Sequence, residues 1–502
     1  MTGAKILREE HVQKKLAVSF PRRRKWFALY VLSVVQISMN YNASVYGNAI
    51  PGLVRGFKVS DDVARMGQWV MLIAYAFGCE LWAPWSEDFG RVPVLQASLW
   101  MVNIFQVMCG AAPSMSVVIA GRALVGLCSA GGSVTLGVVA DMYKPEDQQQ
   151  AVAFVVFASV MGSVIGPVTG AFIQRYIPNW RWNFWIQLIF GATAAILHLL
   201  CPETRSSVLM KKVAKKRRQR GHKVVTVDEV EGDKLTFKKC LTIWTRPFRM
   251  FVCEPIVLCL SLLSGFSDAL IFMFLEAYGE VYHQWGFGTI AMGLTFVPLA
   301  IGYAIAWGLH SWDINRQRDK VANGMAKRGP EEKLRLLLFL APLEVIGLFG
   351  FAWVSLGPSY GVPWIAPMLF SVLVGIANYS IYMATVDYMV EAYGPYAASA
   401  TGGNGFARDL LAGISALYAK PLYRNIGTRL NTSWPLVYGS LILACLCVLI
   451  VSPIYLFFFK GPYIRAHSKF SKKVIAQREE TEAKAAARAA ENEARKPTLL
   501  AR

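Results

Sequence analysis

The sequence predicts an all-α polytopic membrane protein with twelve transmembrane helices in two six-helix bundles, and three observations carry that prediction. Of the 502 residues 55% are hydrophobic and the mean hydropathy is +0.38, which for a chain this long selects the membrane class. About twelve apolar runs reach the roughly 20 residues that a helix needs to cross a bilayer core. The third observation is charge placement. Residues 1–25, 202–250, 310–335 and 460–502 hold 40 of the 52 basic residues, and with twelve spans all four segments lie on one side of the membrane. This positive-inside asymmetry places both termini in the cytosol. The same distribution argues against nucleic acid as the partner of the excess charge.

The implied organisation is a cytosolic basic tail at 1–25, an N-terminal bundle at 26–201, a cytosolic basic central loop at 202–253, a C-terminal bundle at 254–459 and a cytosolic tail at 460–502. The first 25 residues read as a disordered tail. No cleavable signal peptide is expected, because the first apolar run follows Arg22-Arg23-Arg24-Lys25 and is long enough to remain as a span. That first span, about 26–50, carries Asn40, Tyr41 and Asn42, which either hydrogen-bond between helices or line a cavity. The second, about 66–84, contains Glu80, costly in lipid and so directed to the bundle interior. A tight turn follows at 83–93, holding Glu87, Gly90 and Arg91.

Spans four and five hold the most informative stretch. Arg122 sits about seven residues into span four, Gly126 and Gly131 follow, and Asp141 closes it. A charge at the bilayer centre costs roughly 2.5–3.5 kcal/mol, so Arg122 needs a partner or an aqueous cavity and is a functional candidate. Span five carries Gly162, Gly166, Pro167 and Gly170, spaced for close helix approach, with the proline breaking the backbone ladder. Trp180, Trp182 and Trp185 then mark an interface before span six.

The basic run Lys211-Lys212 to Arg217-Arg218 in the central loop reads first as a solvated positive-inside loop, with binding of anionic lipid as the alternative. In span seven Asp268, Phe272 and Glu276 fall four apart on one helix face, and Glu280 continues it. Asp268 lies too deep to be a solvated helix end and is a pathway candidate. Span nine carries Glu344, and span ten places Asn378, Tyr379, Tyr382 and Asp387 near one face. Together Asn40, Tyr41, Phe272, Glu276, Tyr278, Asn378, Tyr379 and Tyr382 form the expected substrate cavity, its aromatic rings offering π surface to flat or cationic solutes. The tail at 477–495 alternates acid, base and alanine as a solvated helix or partner site. Asn431-Thr-Ser433 matches a glycosylation acceptor but abuts span twelve.

Two of these stretches together resemble a known family. Arg122-Ala-Leu-Val-Gly126 is similar to motif B of the major facilitator superfamily, and Gly162 to Gly170 is similar to motif C, the antiporter motif of its drug:proton antiporters. The 83–93 turn resembles motif A, with Glu87, Gly90 and Arg91 in place, although Ala83 replaces the usual glycine and Val92 the second basic residue. Pro202-Glu203-Thr204, the stretch from Tyr393 to Arg408 and Lys460-Gly461-Pro462 resemble the fungal twelve-span members. The resemblance implies the major facilitator fold, two bundles rocking about a midplane cavity, and export of hydrophobic or cationic compounds in exchange for protons. It also implies a cytosolic latch in which Glu87 faces a helix N-terminus and Arg91 pairs with Asp141.

Asp268 and Glu80 are the proton-binding candidates, with Arg122 biasing their proton affinity. The proton gradient is the expected energy source and no cofactor is expected, for no Walker A sequence is present. Three other functions remain as alternatives. An enzyme is disfavoured because the six histidines are scattered and no metal or disulfide spacing appears among nine mostly apolar-run cysteines. A non-transporting sensor is disfavoured by the retained Arg122, Asp141 and Asp268. Proton-coupled import stays open, and the expected setting is a monomer in the plasma membrane or the vacuolar membrane.

Overall fold

The computed structural model describes residues 5–7, 12–129, 131–144, 147–222, 224–226, 237–323, 330–393, 396–430, 434–468 and 472. The glycosylation acceptor at Asn431 and the 477–495 tail lie outside them. Among the described residues lie twelve helical spans, and the central segment expected as a loop carries two further helices, Ser206–Arg218 and Phe237–Cys253. The first half comprises Arg22–Ser44 running on into Tyr46–Phe57, Asp61–Asp88, Arg91–Gly110, Met115–Cys128 with Gly131–Met142, Gln148–Tyr176 and Trp182–Leu199. The second comprises Pro255–Tyr282, Thr289–Leu294 with Val297–Ala322, Leu337–Leu340 with Pro342–Val354, Ile365–Tyr393, Ala397–Leu430, and Pro435–Val451 with Pro453–His467. They are numbered one to twelve below. A helix satisfies its own backbone groups, the condition for crossing lipid.

Eight of the twelve pass a strict test of length and hydropathy for membrane helices. The other four, spans one, two, four and eleven, fall short for a readable reason. They carry the Asn40–Asn42 patch, Arg65 with Glu80, Arg122 at the head of a helix broken near residue 130, and Arg408-Asp409. Polar side chains that face other helices lower hydropathy without exposing charge to lipid.

Local chemistry sets the ends. Ser60 Oγ accepts the Val63 N–H at 3.3 Å, and Asp61 and Asp62 sit in the first turn of span two, where the helix dipole favours them. Gly90, at φ +104°, makes the turn into span three that a side chain would strain. Pro255, Pro342, Pro435 and Pro453 occupy first helical positions, where a missing N–H costs nothing.

Span one packs on spans five and six, span two on span four, and span three on spans four and six. In the second half span seven packs on span eleven, and span ten on spans eight and nine. The halves meet along two seams, span two against span eleven and span five against span eight.

The N-terminal segment departs from the expected disorder. Lys5–Leu7 pairs in parallel with Val224–Thr226, the one sheet among the described residues, and short turns at Gln13–Lys15 and Ala17–Ser19 lead into span one. Leu7, Val12 and Leu16 are buried against Met210 and Ala214 of a helix at Ser206–Arg218. Three well-spaced apolar residues in a basic segment are enough to anchor it once a partner face exists.

Candidate functional site

The densest charge in the interior lies between spans seven, ten and eleven. Arg408 of span eleven places its Nε 3.9 Å from Asp268 Oδ2 of span seven and an η nitrogen 3.6 Å from Asp409 Oδ1. Its guanidinium lies over the Tyr382 ring, 4.2 Å from the centroid. At an effective dielectric near 20 each charge pair at such distances is worth about 4 kcal/mol, set against several kcal/mol to desolvate each ion. Two carboxylates and an aromatic face around one guanidinium are what make burial of that guanidinium tolerable. Sequence analysis found Asp268 and Tyr382 but not this cation. Arg408 and Asp409 are 8% and 6% exposed, and their sequence signal was an adjacent charge pair twelve residues into the helix, ahead of any other charge in it.

A cavity of about 100 Å³ runs from this cluster towards the 83–93 turn. Glu80, Tyr382, Arg408 and Asp409 line it together with Glu87, Arg91 and Gly402. Gly402 permits the approach of Glu80: a Cβ there would lie 2.6 Å from Glu80 Oε2. The volume falls well short of the roughly 300–1,000 Å³ of a drug-sized ligand site, so a substrate enters only after helices move.

The turn itself is a hydrogen-bonded latch. Arg91 Nε donates to Asp141 Oδ2 at 3.0 Å and an η nitrogen donates to Ser86 Oγ at 2.6 Å, while Arg205 reaches Asp141 at 3.8 Å. The acid on the N-terminus of span three is Glu203, which accepts the Arg91 and Val92 N–H groups and also those of Thr204 and Arg205. Glu87 instead lines the cavity beside Thr401 and Gly402, near the start of span eleven. The helix-terminal acid of this turn is therefore Glu203 and not the expected Glu87.

The glycines of span five are a packing face. Ser44 Oγ donates to the Gly162 carbonyl at 3.2 Å, and a Cβ at Gly166 would lie 1.9 Å from that same Oγ. Gly170 faces Asn48 in the same way. Pro167, with Ala171, packs against Gly293 of span eight across the half boundary.

Comparison with known proteins decides the family: the model of the Major Facilitator Superfamily matches residues 32–416. The chain belongs to this superfamily. Among its members, the MFS-type transporter acdC of Aspergillus candidus is 29% identical over 461 residues, covering 90% of this chain and 88% of its own. The MFS-type transporter kojT of Aspergillus oryzae is 30% identical over 456 residues, at 89% and 79% coverage. The efflux pump radE of Floropilus chiversii is 27% identical, at 91% and 84%. Among solved structures, the xylose transporter XylE of Escherichia coli superposes with a TM-score of 0.61 at 16% identity, covering 87% of this chain and 98% of its own. The human organic anion transporter MFSD10 gives 0.60 at 14% identity, covering 86% and 100%. The superfamily consists of transporters, so this is a multi-pass membrane transport protein and not an enzyme.

Within the major facilitator frame the remaining predicted residues separate. Arg122 is buried, donating to the carbonyls of Gly67 and Asn42 and to Asn42 Oδ1 at 2.7 Å, over the Tyr46 ring at 4.6 Å. The carboxylates Glu80 and Asp268 are not its partners. Span two separates Gly67 from Glu80 by 13 residues, about 20 Å of helix, so the arginine that biases Asp268 is Arg408.

Of the expected cavity set, Tyr382 lines the cavity and the others do not. Asn40 donates to Ser159 Oγ and the Gln36 carbonyl, and Tyr41 accepts from Thr169 and packs edge-on to Phe190. Phe272 is core, and Tyr278 stacks on Phe274 and donates to Ser371 Oγ. Asn378 donates to Ser267 Oγ, which in turn bonds Glu344, a fully buried carboxylate also met by Cys447 Sγ. These side chains are spent on contacts within their own half, and helical spacing alone does not say which polar residues of a span meet the other half.

Tyr379 and Glu276 instead bridge the halves. Tyr379 donates to the Ala153 carbonyl of span five at 2.9 Å, and on that end Gln149 also donates to Asp387. At the opposite end Glu276 pairs with Arg65 of span two, which also holds Asp61, and Asp61 pairs with Lys420 of span eleven. Bridges thus tie the two halves together at both ends of the bundle.

Proposed function

We propose that this transporter is a proton-coupled antiporter that exports small hydrophobic or cationic compounds by alternating access, with a fungal secondary metabolite as the leading substrate class. The observation that carries the reading is the Arg408 cluster, with Glu80, lining a cavity enclosed between the two halves. Buried carboxylates held by one shared cation can exchange a proton as helices move and the cation changes partner. A relative named as an efflux pump supports the export direction.

In this reading the proton gradient supplies the energy, with Asp268, Asp409 and Glu80 as the carriers. Arg122 holds spans one, two and four together. The Arg65–Glu276–Asp61–Lys420 network is the external gate, and the Arg91–Asp141 latch is cytosolic, as are both termini. The protein works as a monomer in the plasma membrane.

The test is uptake into inside-out vesicles under an imposed proton gradient, across cationic, neutral and acidic compounds, for the intact protein and for Asp268→Asn. Gradient-dependent uptake of some compound that Asp268→Asn abolishes is the expected result. Gradient-driven movement out of those vesicles would identify an importer, and movement that ignores the gradient would remove proton coupling.

A further inference from the structure

We infer that the N-terminal segment and the helix Ser206–Arg218 together form a binding site for a multiply charged phosphate ester. Its walls are Lys15, Lys212, Lys216, Arg217, Arg220 and His222, over a floor of Leu209 and Val213. The enclosed volume is about 600 Å³, room for a phosphorylated sugar or cyclitol.

The site is built by tertiary structure. Leu209, Lys212, Val213, Lys216 and Arg217 recur at three- and four-residue steps, so they share one helix face, with Arg220 following in the turn after the helix, while Met210 and Ala214 turn the adjoining face into the small core with Leu7, Val12 and Leu16. Gly221, at φ +84°, reverses the chain, and the His222 N–H returns to the Arg217 carbonyl at 3.1 Å. The strand Val224–Thr226 then pairs with Lys5–Leu7, and that pairing brings Lys15 from about 200 residues away in sequence to the opposite wall.

Among the described residues no carboxylate lines the pocket, and Lys15, Lys212, Lys216, Arg217 and Arg220 form no ion pair with a described neighbour. The interval from Thr204 to Thr226 contains no acid at all. Five cations converging on one cavity repel one another, and an anion with several charges removes that cost while matching the guanidinium fork and the ammonium donors. A basic loop that serves only as a positive-inside signal needs neither a cavity nor a partner strand. The helix follows span six by six residues, which puts the pocket at the membrane surface, within reach of a lipid headgroup as well as of a soluble phosphate. Its cytosolic placement rests on the orientation proposed above; the pocket does not.

The test uses the full chain purified in uncharged detergent and a fluorescent short-chain phosphatidylinositol bisphosphate, read by polarisation. Two pairs of substitutions remove the same charge: Lys216→Gln with Arg220→Gln inside the pocket, and Lys211→Gln with Lys215→Gln on the same helix outside it. The expected result is saturable binding that the pocket pair weakens about tenfold or more and the outside pair less than about threefold. Displacement by inositol trisphosphate would assign the affinity to the headgroup and admit soluble ligands. Resistance to it, with displacement by unlabelled lipid, would assign the lipid as the source. Equal weakening by both pairs, or no binding, would overturn the site. Should either pair elute aggregated, Arg220→Gln alone carries the comparison. Because binding is read without transport, its failure would leave the antiporter reading standing, and failure of transport would leave the site.

Discussion

Replacing Arg408 by methionine is the sharpest test of how the interior is held together. Methionine keeps the length and apolar stem of arginine but removes the charge, leaving Asp268 and Asp409 with no cation between them. Each loses an interaction worth about 4 kcal/mol at an effective dielectric of 20, and the carboxylates recover part of that by protonation or movement. Stripping one partner from a buried ion pair generally costs about 3–5 kcal/mol, and a destabilisation of that size is expected here. The assay is unfolding in detergent micelles, followed by tryptophan fluorescence, beside transport by the same preparation. Adding Asp268→Asn and Asp409→Asn to Arg408→Met should restore most of the stability, since no unpaired charge remains, while transport stays lost. Unfolding of Arg408→Met at the same point as the intact protein would refute the reasoning. So would a triple variant no more stable than the single one, because burial of unpaired carboxylates would then not be the cost.

Gly402→Ala should displace Glu80 from the cavity wall and cost about 1–3 kcal/mol of overpacking, and combining it with Glu80→Ala should return the stability; a neutral Gly402→Ala in the same unfolding assay would contradict the close approach. Arg91→Ala leaves Asp141 and Ser86 short of donors and should lower stability by about 1–3 kcal/mol, and Glu203→Ala should do likewise by uncapping span three; thermal unfolding measures both. Glu344→Gln, which keeps an acceptor for Ser267, should stay within about 1 kcal/mol of the intact protein, whereas Glu344→Ala should lose about 2–4 kcal/mol to a cavity and a stranded hydroxyl; equal losses would show that the Ser267 bond contributes nothing.

Much of this protein was legible in its sequence. Apolar runs near twenty residues, a basic bias on alternate loops and glycines at helical spacing are local properties, so they survive without a fold to place them. The pairing of Arg91 with Asp141 was implied by the resemblance of the 83–93 turn to motif A rather than read from the residues themselves, and the two side chains meet in the structure. Tyr382, Asp268 and Glu80 were found as polar residues too deep for solvent. Their neighbours were not: Arg122 was assigned to Glu80, which the structure keeps about 20 Å of helix away from its Gly67 contact, and to Asp268, whose cation is Arg408.

The division has a physical cause. Burial in lipid or protein is decided residue by residue, by transfer free energy along one helix, and the sequence states it: twelve spans, two halves, a buried arginine, buried acids. Which buried charge neutralises which is decided by how helices rotate and lean against each other. That choice depends on packing summed over whole faces, between segments as far apart as Asp61 and Lys420, 359 residues distant in sequence. Tertiary structure alone brought Arg408 between Asp268 and Asp409, tied Arg65 to Glu276, and folded a basic N-terminal segment onto the central helix to make a pocket of two chain ends.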